Sequence, residues 1–287
     1  MMRSILFVPA DSERKLAKAM HAGADALVLD LEDAVPMDRK PIARHLLREW
    51  RQGHADYRNL WIRVNDPSSG ELLKDLSHAV AVRPAGIMLP KIRGPEEISI
   101  VGYYLDALES EHGLPSGSTR IFALVTETPI GLLRAADIAR QRHPRVSHVS
   151  WGAEDLSAAL SAGDPRTPEG AWRPAYVHAR TQCLLTAHAL GAAAIDTVYV
   201  EFKDSAGLHM ACRSARYDGF TGRIAIHPDQ VAIINEVFTP TEAERALAQK
   251  IVDAFASGAG VVSIDGKMYD LPHLNAARRL LAGTNCG

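Results

Sequence analysis

The feature that most constrains this 287-residue chain is a recurrence: short, β-branched apolar runs return at a near-regular interval, each followed by a segment with helical apolar spacing. The runs begin at Ile5, Ala26, Leu60, Gly86, Ile121, Val146, Ala194 and Gly222, the seventh reading AIDTVYVEF and the eighth GRIAIHP. Their spacing averages roughly 30 residues, the size of one βα unit. Such alternation means parallel strands joined by crossover helices. The runs are apolar on both faces, as strands covered by helices should be. Eight of them predict an α/β fold closed into a (β/α)8 TIM barrel, which commonly runs to about 250 residues as one unit. An open, doubly wound sheet is the weaker alternative, because no GxGxxG turn follows the first run.

After the eighth run, TPTEAERALAQKIVDAFA reads as a closing helix, with Thr239 or Thr241 as N-cap and Glu242 or Glu244 completing a capping box. The remaining segment has glycines, a short apolar run, the turn IDGKMYD and a last helix from about Leu271. The expected division is therefore a catalytic barrel over residues 1–238 and a C-terminal helical extension over 239–287, read as a lid or oligomer contact.

Charge narrows the partners. With 32 basic against 34 acidic side chains, no net field draws in nucleic acid or an anionic membrane, so any anionic ligand must be held locally. Cys183, Cys212 and Cys286 form no CxxC or Cys/His pair, which argues against a disulfide framework or a zinc site. The N-terminus MMRSILFVPADSERK is too short in its apolar stretch for a signal peptide, and no apolar run reaches the roughly 18 residues of a membrane span. A cytoplasmic protein is expected.

In a barrel of this kind the active site lies where the strands end at their C-terminal side. Nearly every run here ends in a polar residue: Asp30, Glu32 and Asp33 after the second, Arg63 and Asn65 after the third, Lys91 after the fourth, Glu127 after the fifth, Glu154 and Asp155 after the sixth, His227 after the eighth. Carboxylates on three of these ends repel one another unless they share a cation. A hard divalent metal is the simplest resolution, and no His or Cys cluster competes for a softer one. Glu127 and Asp155 are the expected ligands of Mg2+, or Mn2+ in its place, with Glu32 and Asp33 orienting the metal's waters. Taken singly, each acid also reads as helix-terminus chemistry: Glu32 and Asp33 complement a dipole, Glu127 precedes Pro129, and Asp155 caps a helix. Arg63 sits within an apolar strand, where a guanidinium must be paired. It is either bonded to a carboxylate or placed to grip an anionic substrate bidentately, and we expect the substrate. Arg14 and Lys15, after the first strand, are expected at the phosphates of a large ligand, or else as a solvated helix start. His227 reads as a ligand contact or a satisfied strand-end histidine.

Read together, RSILFVPADSERKLAKA, GADALVLDLEDAV, WIRVN, GIMLPKI, ETPIGLL, WGAEDLSAAL, AIDTVYVEFKD, GFTGRIAIHPDQVAIINEVFTP and DGKMYDLPH resemble, in order, the blocks of the citrate lyase β-subunit-like branch of the HpcH/HpaI aldolase family, which includes malyl-CoA and citramalyl-CoA lyases. The resemblance implies a (β/α)8 barrel with a C-terminal extension, bound magnesium, and cleavage or formation of a carbon-carbon bond beside a CoA thioester. By position it implies Glu127 and Asp155 as metal ligands and Glu32 with Asp33 as the water-holding pair. Arg63 then faces the 2-oxo acid and the enolate, and Phe7, Arg14, Lys15, Arg63 and His227 contact substrate or CoA. It also implies Asp270, in KMYDLPH, as an acid/base that a neighbouring subunit's tail supplies; by itself Asp270 reads as an N-cap. Ala10 and Ile130 depart from residues frequent in the family. The expected protein is then a cytoplasmic lyase, a homotrimer or hexamer, that cleaves a 3-hydroxyacyl-CoA of malyl-, citramalyl- or citryl-CoA type into a 2-oxo acid and an acyl-CoA. Thioester hydrolysis at the same site is the alternative chemistry, and an aldolase acting on free hydroxy acids is a third. A catalytically silent subunit is disfavoured by the intact Arg63, Glu127 and Asp155 set.

Overall fold

The computed structural model describes residues 2–55 and 57–284; Cys286 lies outside them. The eight runs form one closed parallel barrel, β1 (Ser4–Pro9), β2 (Ala26–Asp30), β3 (Leu60–Arg63), β4 (Gly86–Leu89), β5 (Arg120–Leu124), β6 (Val146–Ser150), β7 (Ala193–Asp196) and β8 (Gly222–Ala225), in sequence order, with β8 pairing back onto β1. The crossovers carry helices α1 (Glu13–Ala19), α2 (Lys40–Gly53), α3 (Leu72–Ala81), α4 (Pro95–Glu111), α5 (Pro129–Leu133), α6 (Ala135–Arg140), α7 (Ala153–Ala159), α8 (Pro174–Leu190) and α9 (Ser205–Asp218). Helix α10 (Gln230–Phe238) follows β8.

The seventh and eighth strands stop well short of their runs. The seventh stops at Asp196, whose carboxylate accepts from Trp151 Nε1 at 2.8 Å and from the next backbone N–H, that of Thr197, at 3.0 Å. That local bond competes with the sheet ladder, so TVYVEF leaves the barrel. The eighth stops at Ala225, where the Gln230 side chain takes the N–H groups of Ile226 and His227 and donates to Tyr199 O at 2.8 Å.

Strand register sorts the barrel interior into layers. Val28 pairs with Trp61 and Asp30 with Arg63; Met88 aligns with Phe122, and Phe122 with His148. Trp61, Phe122, Met88, Val28, Ile195 and Ile224 form one buried apolar cluster. Trp61 meets Phe122 edge-on at 5.8 Å and His148 at 5.2 Å. Gly86 makes this possible: a Cβ there would sit 2.5 Å from the Trp61 ring and 2.4 Å from the Arg120 carbonyl oxygen. Two residues further along β2 and β3 the same inward face carries Asp30 and Arg63, and a two-residue step in a strand is about 6–7 Å.

The chain divides into two compact units, Met2–Asn235 with the barrel and Glu236 onward. In the second unit α11 (Glu242–Ala254) starts with a full capping box between Thr241 and Glu244. A hairpin, β9 (Val261–Ile264) and β10 (Lys267–Asp270), then leads into α12 (Leu271–Thr284). Asp265 and Gly266 both have positive φ, 49° and 77°, as a two-residue type I′ hairpin turn requires. The segment read as a turn plus a loose apolar run is therefore a hairpin. Its inner residues Val262, Ile264 and Tyr269 pack on a small core of Ala248, Ile251, Phe255, Leu274 and Ala277.

Candidate active site

The strand ends converge on a cluster of acids organised by one cation. Lys91, just past β4, donates its ammonium to Glu32 Oε1 at 2.6 Å and Asp33 Oδ2 at 2.7 Å, and lies 3.4 Å from Asp155 Oδ1. Its backbone N–H donates to Glu127 Oε2 at 2.7 Å. One residue thus touches all four acids expected at the metal. It does so from a left-handed backbone, φ 53°, an arrangement that costs a non-glycine residue of order 1–3 kcal/mol and collects at functional sites. Sequence reasoning put Lys91 on the rim without a role; its position just past the end of β4, in a rim of acids, was the available signal.

The acids differ in environment. Glu32 and Glu127 are buried, while Asp33 is largely exposed and Asp155 intermediate. Burial pushes Glu32 up to about 7, although Arg63 and Lys91 pull the other way. Burial, then repulsion by Asp155 and Glu32, raises Glu127 well above the ordinary carboxylate range. Neither Glu127 nor Asp155 serves as a cap: Thr128 caps α5 and Gly152 precedes α7. Gly152 also makes room for Glu127, since a Cβ at 152 would lie 2.6 Å from Glu127 Oε1.

Arg63 corrects an expectation. Its Nε and one Nη hold Asp30 bidentately at 2.7 and 2.6 Å, so the fork expected to grip substrate is already occupied by a carboxylate from the neighbouring strand. The other Nη approaches Glu32 Oε2 at 2.9 Å without hydrogen-bond alignment, and the guanidinium lies 4.8 Å from the Phe7 ring centre. Burial would drive the Asp30 carboxyl up, but Arg63 and the backbone N–H groups of Glu32 and Ala34 hold it below its usual value. Asn65, also read as a rim residue, is buried and turned into a hydrogen-bond network with Asp75.

Do these groups suit a divalent cation? Among the described residues no group of three or more His, Cys, Asp or Glu stands ready as a complete cage. The donors present are all hard oxygens. Glu32 Oε2 and Thr126 Oγ1 are buried with no hydrogen bond among the described residues, and burial with repulsion by Asp155 and Glu32 raises Glu127, a shift that a bound cation would oppose. Few carboxylates with room for water and substrate oxygens is what Mg2+ takes. The set fits.

A groove of about 590 Å3 runs beside β1, and Phe7, Arg14, Lys15 and His227 all line it, together with Lys18 and His21. His227 stacks on Phe202 with ring centres 4.9 Å apart. Asp270 lies in the second unit at the end of β10, half exposed, with its carboxylate 2.5 Å from His273 Nδ1. No helix among the described residues is long and apolar enough to cross a membrane.

Comparison with known proteins agrees with this fold. The family model for HpcH/HpaI aldolase/citrate lyase matches residues 3–228. A (3S)-malyl-CoA thioesterase of Cereibacter sphaeroides is 36% identical over 286 residues, 98% of this chain and 93% of that protein. The mitochondrial citramalyl-CoA lyase of Rattus norvegicus is 32% identical, over 97% of this chain and 85% of that one. The crystal structure of protein CitE from Mycobacterium tuberculosis, in complex with magnesium, acetoacetate and coenzyme A, superposes with a TM-score of 0.79 at 31% identity, covering 98% of this chain and 97% of that one.

Proposed function

The chain belongs to the HpcH/HpaI aldolase/citrate lyase family, and from that premise we propose that it is a magnesium-dependent carbon-carbon lyase that splits a 3-hydroxyacyl-CoA into a 2-oxo acid and an acyl-CoA. The observation that carries this reading is the ring of Glu32, Asp33, Glu127 and Asp155 joined through Lys91, with the Arg63–Asp30 pair beside it. Glu127 and Asp155 would hold Mg2+, and Glu32 with Asp33 its waters. When bound, the metal polarises the oxygen on which a carbonyl develops. Arg63, fixed by Asp30, keeps a permanent positive charge at the rim, where it favours the negative charge of a thioester enolate. The groove lined by Phe7, Arg14, Lys15, Lys18 and His227 has three cationic side chains for phosphates and fits the CoA arm.

We assign protonation of the enolate carbon to Asp270 of a neighbouring subunit's tail, which makes the working unit a homotrimer or hexamer, in the cytoplasm. Asp270→Asn should lower turnover by orders of magnitude while leaving Mg2+ affinity unchanged. An active monomer in light scattering would defeat the assignment.

Hydrolysis of the thioester is the second reading, favoured by the similarity to a malyl-CoA thioesterase. A Mg2+-dependent assay over malyl-, citramalyl- and citryl-CoA, trapping 2-oxo acid with phenylhydrazine and following free thiol separately, decides between them. Oxo acid without thiol establishes the lyase, whereas thiol establishes hydrolysis. Silence in both, with Mg2+ bound, would overturn both.

A further inference from the structure

Lys40 presents a problem that the reaction does not explain. It opens α2 and is 5% exposed, yet its ammonium contacts no carboxylate among the described residues. Its three donors go to neutral oxygens: Leu31 O at 2.9 Å, Glu32 O at 2.9 Å and Asn65 Oδ1 at 2.6 Å. A buried charge without a counter-charge in contact is costly, so stability alone gives no reason to place one there.

The neighbours show where the charge is balanced. Asn65 passes the contact on, its amide donating to Leu31 O at 2.9 Å and to Asp75 Oδ2 at 2.6 Å. Asp75 also accepts from the Asn65 backbone N–H at 2.7 Å and from Arg44 Nε at 2.7 Å, and Arg44 pairs with Glu71 as well. Lys40, Asn65, Asp75 and Arg44 are all buried, so the relay is shielded from solvent. It ends on two consecutive carbonyls, those of Leu31 and Glu32, at the point where the chain leaves β2 and turns its acids toward Lys91. From the other side the Asp30 carboxylate fixes the Glu32 and Ala34 N–H groups at 2.9 and 3.2 Å. The peptide carrying Glu32 is therefore held from both edges.

We propose that Lys40 is a positioning residue for the metal centre: by bonding Leu31 O and Glu32 O directly, with Asn65 bracing it, it locks the backbone of the Glu32–Asp33 turn so that both carboxylates face the rim. The assignment rests on the magnesium reading above. Outer residues that orient metal-binding groups are typically worth about 10–100-fold in metal affinity or activity.

The test separates orientation from stability, using the intact protein and Mg2+ alone as titrant. Lys40→Met keeps the volume and removes every donor. Calorimetry should find Mg2+ affinity weakened by about 10–100-fold, while the melting temperature of the metal-free protein holds or rises; Lys40→Arg, which keeps charge and donors, should recover part of the affinity. Should Lys40→Met be insoluble, Lys40→Gln takes its place under the same two criteria. Affinity within twofold of the parent, or affinity lost only in proportion to melting temperature, would overturn the proposal. A parent protein that binds no Mg2+ would instead refute the functional reading on which it stands.

Discussion

The two layers inside the barrel are built from the same strands and differ in almost every physical respect. In one, Trp61, Phe122 and His148 pack edge to face, and burial, followed by the nearby positive charge of Arg120, pushes His148 down to about 4. In the other, two residues further along β3, Arg63 and Asp30 lie beside Glu32, Glu127 and Lys91, and burial holds carboxyls up. The apolar layer keeps an ionisable group neutral and gains stability from it. The rim gathers buried carboxyls around Lys91 and Arg63, and perturbed groups clustered in this way mark a candidate binding site.

That contrast can be broken at either layer. The largest effect is expected from Glu127→Gln: Mg2+ binding lost and turnover down by about a thousandfold, or about 4 kcal/mol, with urea stability equal to the parent or higher, because a buried acid is gone. A matching loss of stability would mean that the rim is structural. Trp61→Ala should do the reverse, costing about 3–5 kcal/mol in urea unfolding and leaving Mg2+ affinity within a fewfold; a selective loss of metal binding would merge the two layers into one.

Acid provides a third test. Since the folded His148 lies near 4, below the ordinary 6.5, the unfolded chain takes up its proton first as pH falls. Stability from this group is fully present above pH 6.5 and is lost between 6.5 and about 4, to a total of roughly 3 kcal/mol. His148→Phe should flatten the decline measured by urea unfolding between pH 7 and 5; an unchanged slope would place the acid sensitivity elsewhere. The smallest effect belongs to the exposed groove. Lys15→Ala should raise KM for a CoA thioester roughly two- to fivefold with kcat unchanged, and a fall in kcat would tie the groove to the chemistry.

The eight strands and the acids at their ends were legible because periodicity and strand-end position are local properties of the chain. The partnership of Arg63 was not, since it depends on register: Asp30 is 33 positions away in sequence but directly opposite in the sheet. Lys91 was visible only as a polar strand end, because its role lies in what three separate segments bring to it. The AIDTVYVEF run was overread for the opposite reason, a strong local β pattern being overruled by one side-chain bond at Asp196. For Asp270 the residues alone pointed to nothing beyond a helix start, and only the family pattern raised it.

Closure of the ring has a consequence for how the protein comes into being. Ser4 lies opposite Arg223, so the first strand made must wait for the last before its outer edge is covered. On the ribosome, Glu32, Glu127 and Asp155 emerge in turn long before that pairing is possible. A nascent chain thus carries the rim acids without the frame that holds them together, and on the proposed reading metal capture would be a late step that reports completed synthesis.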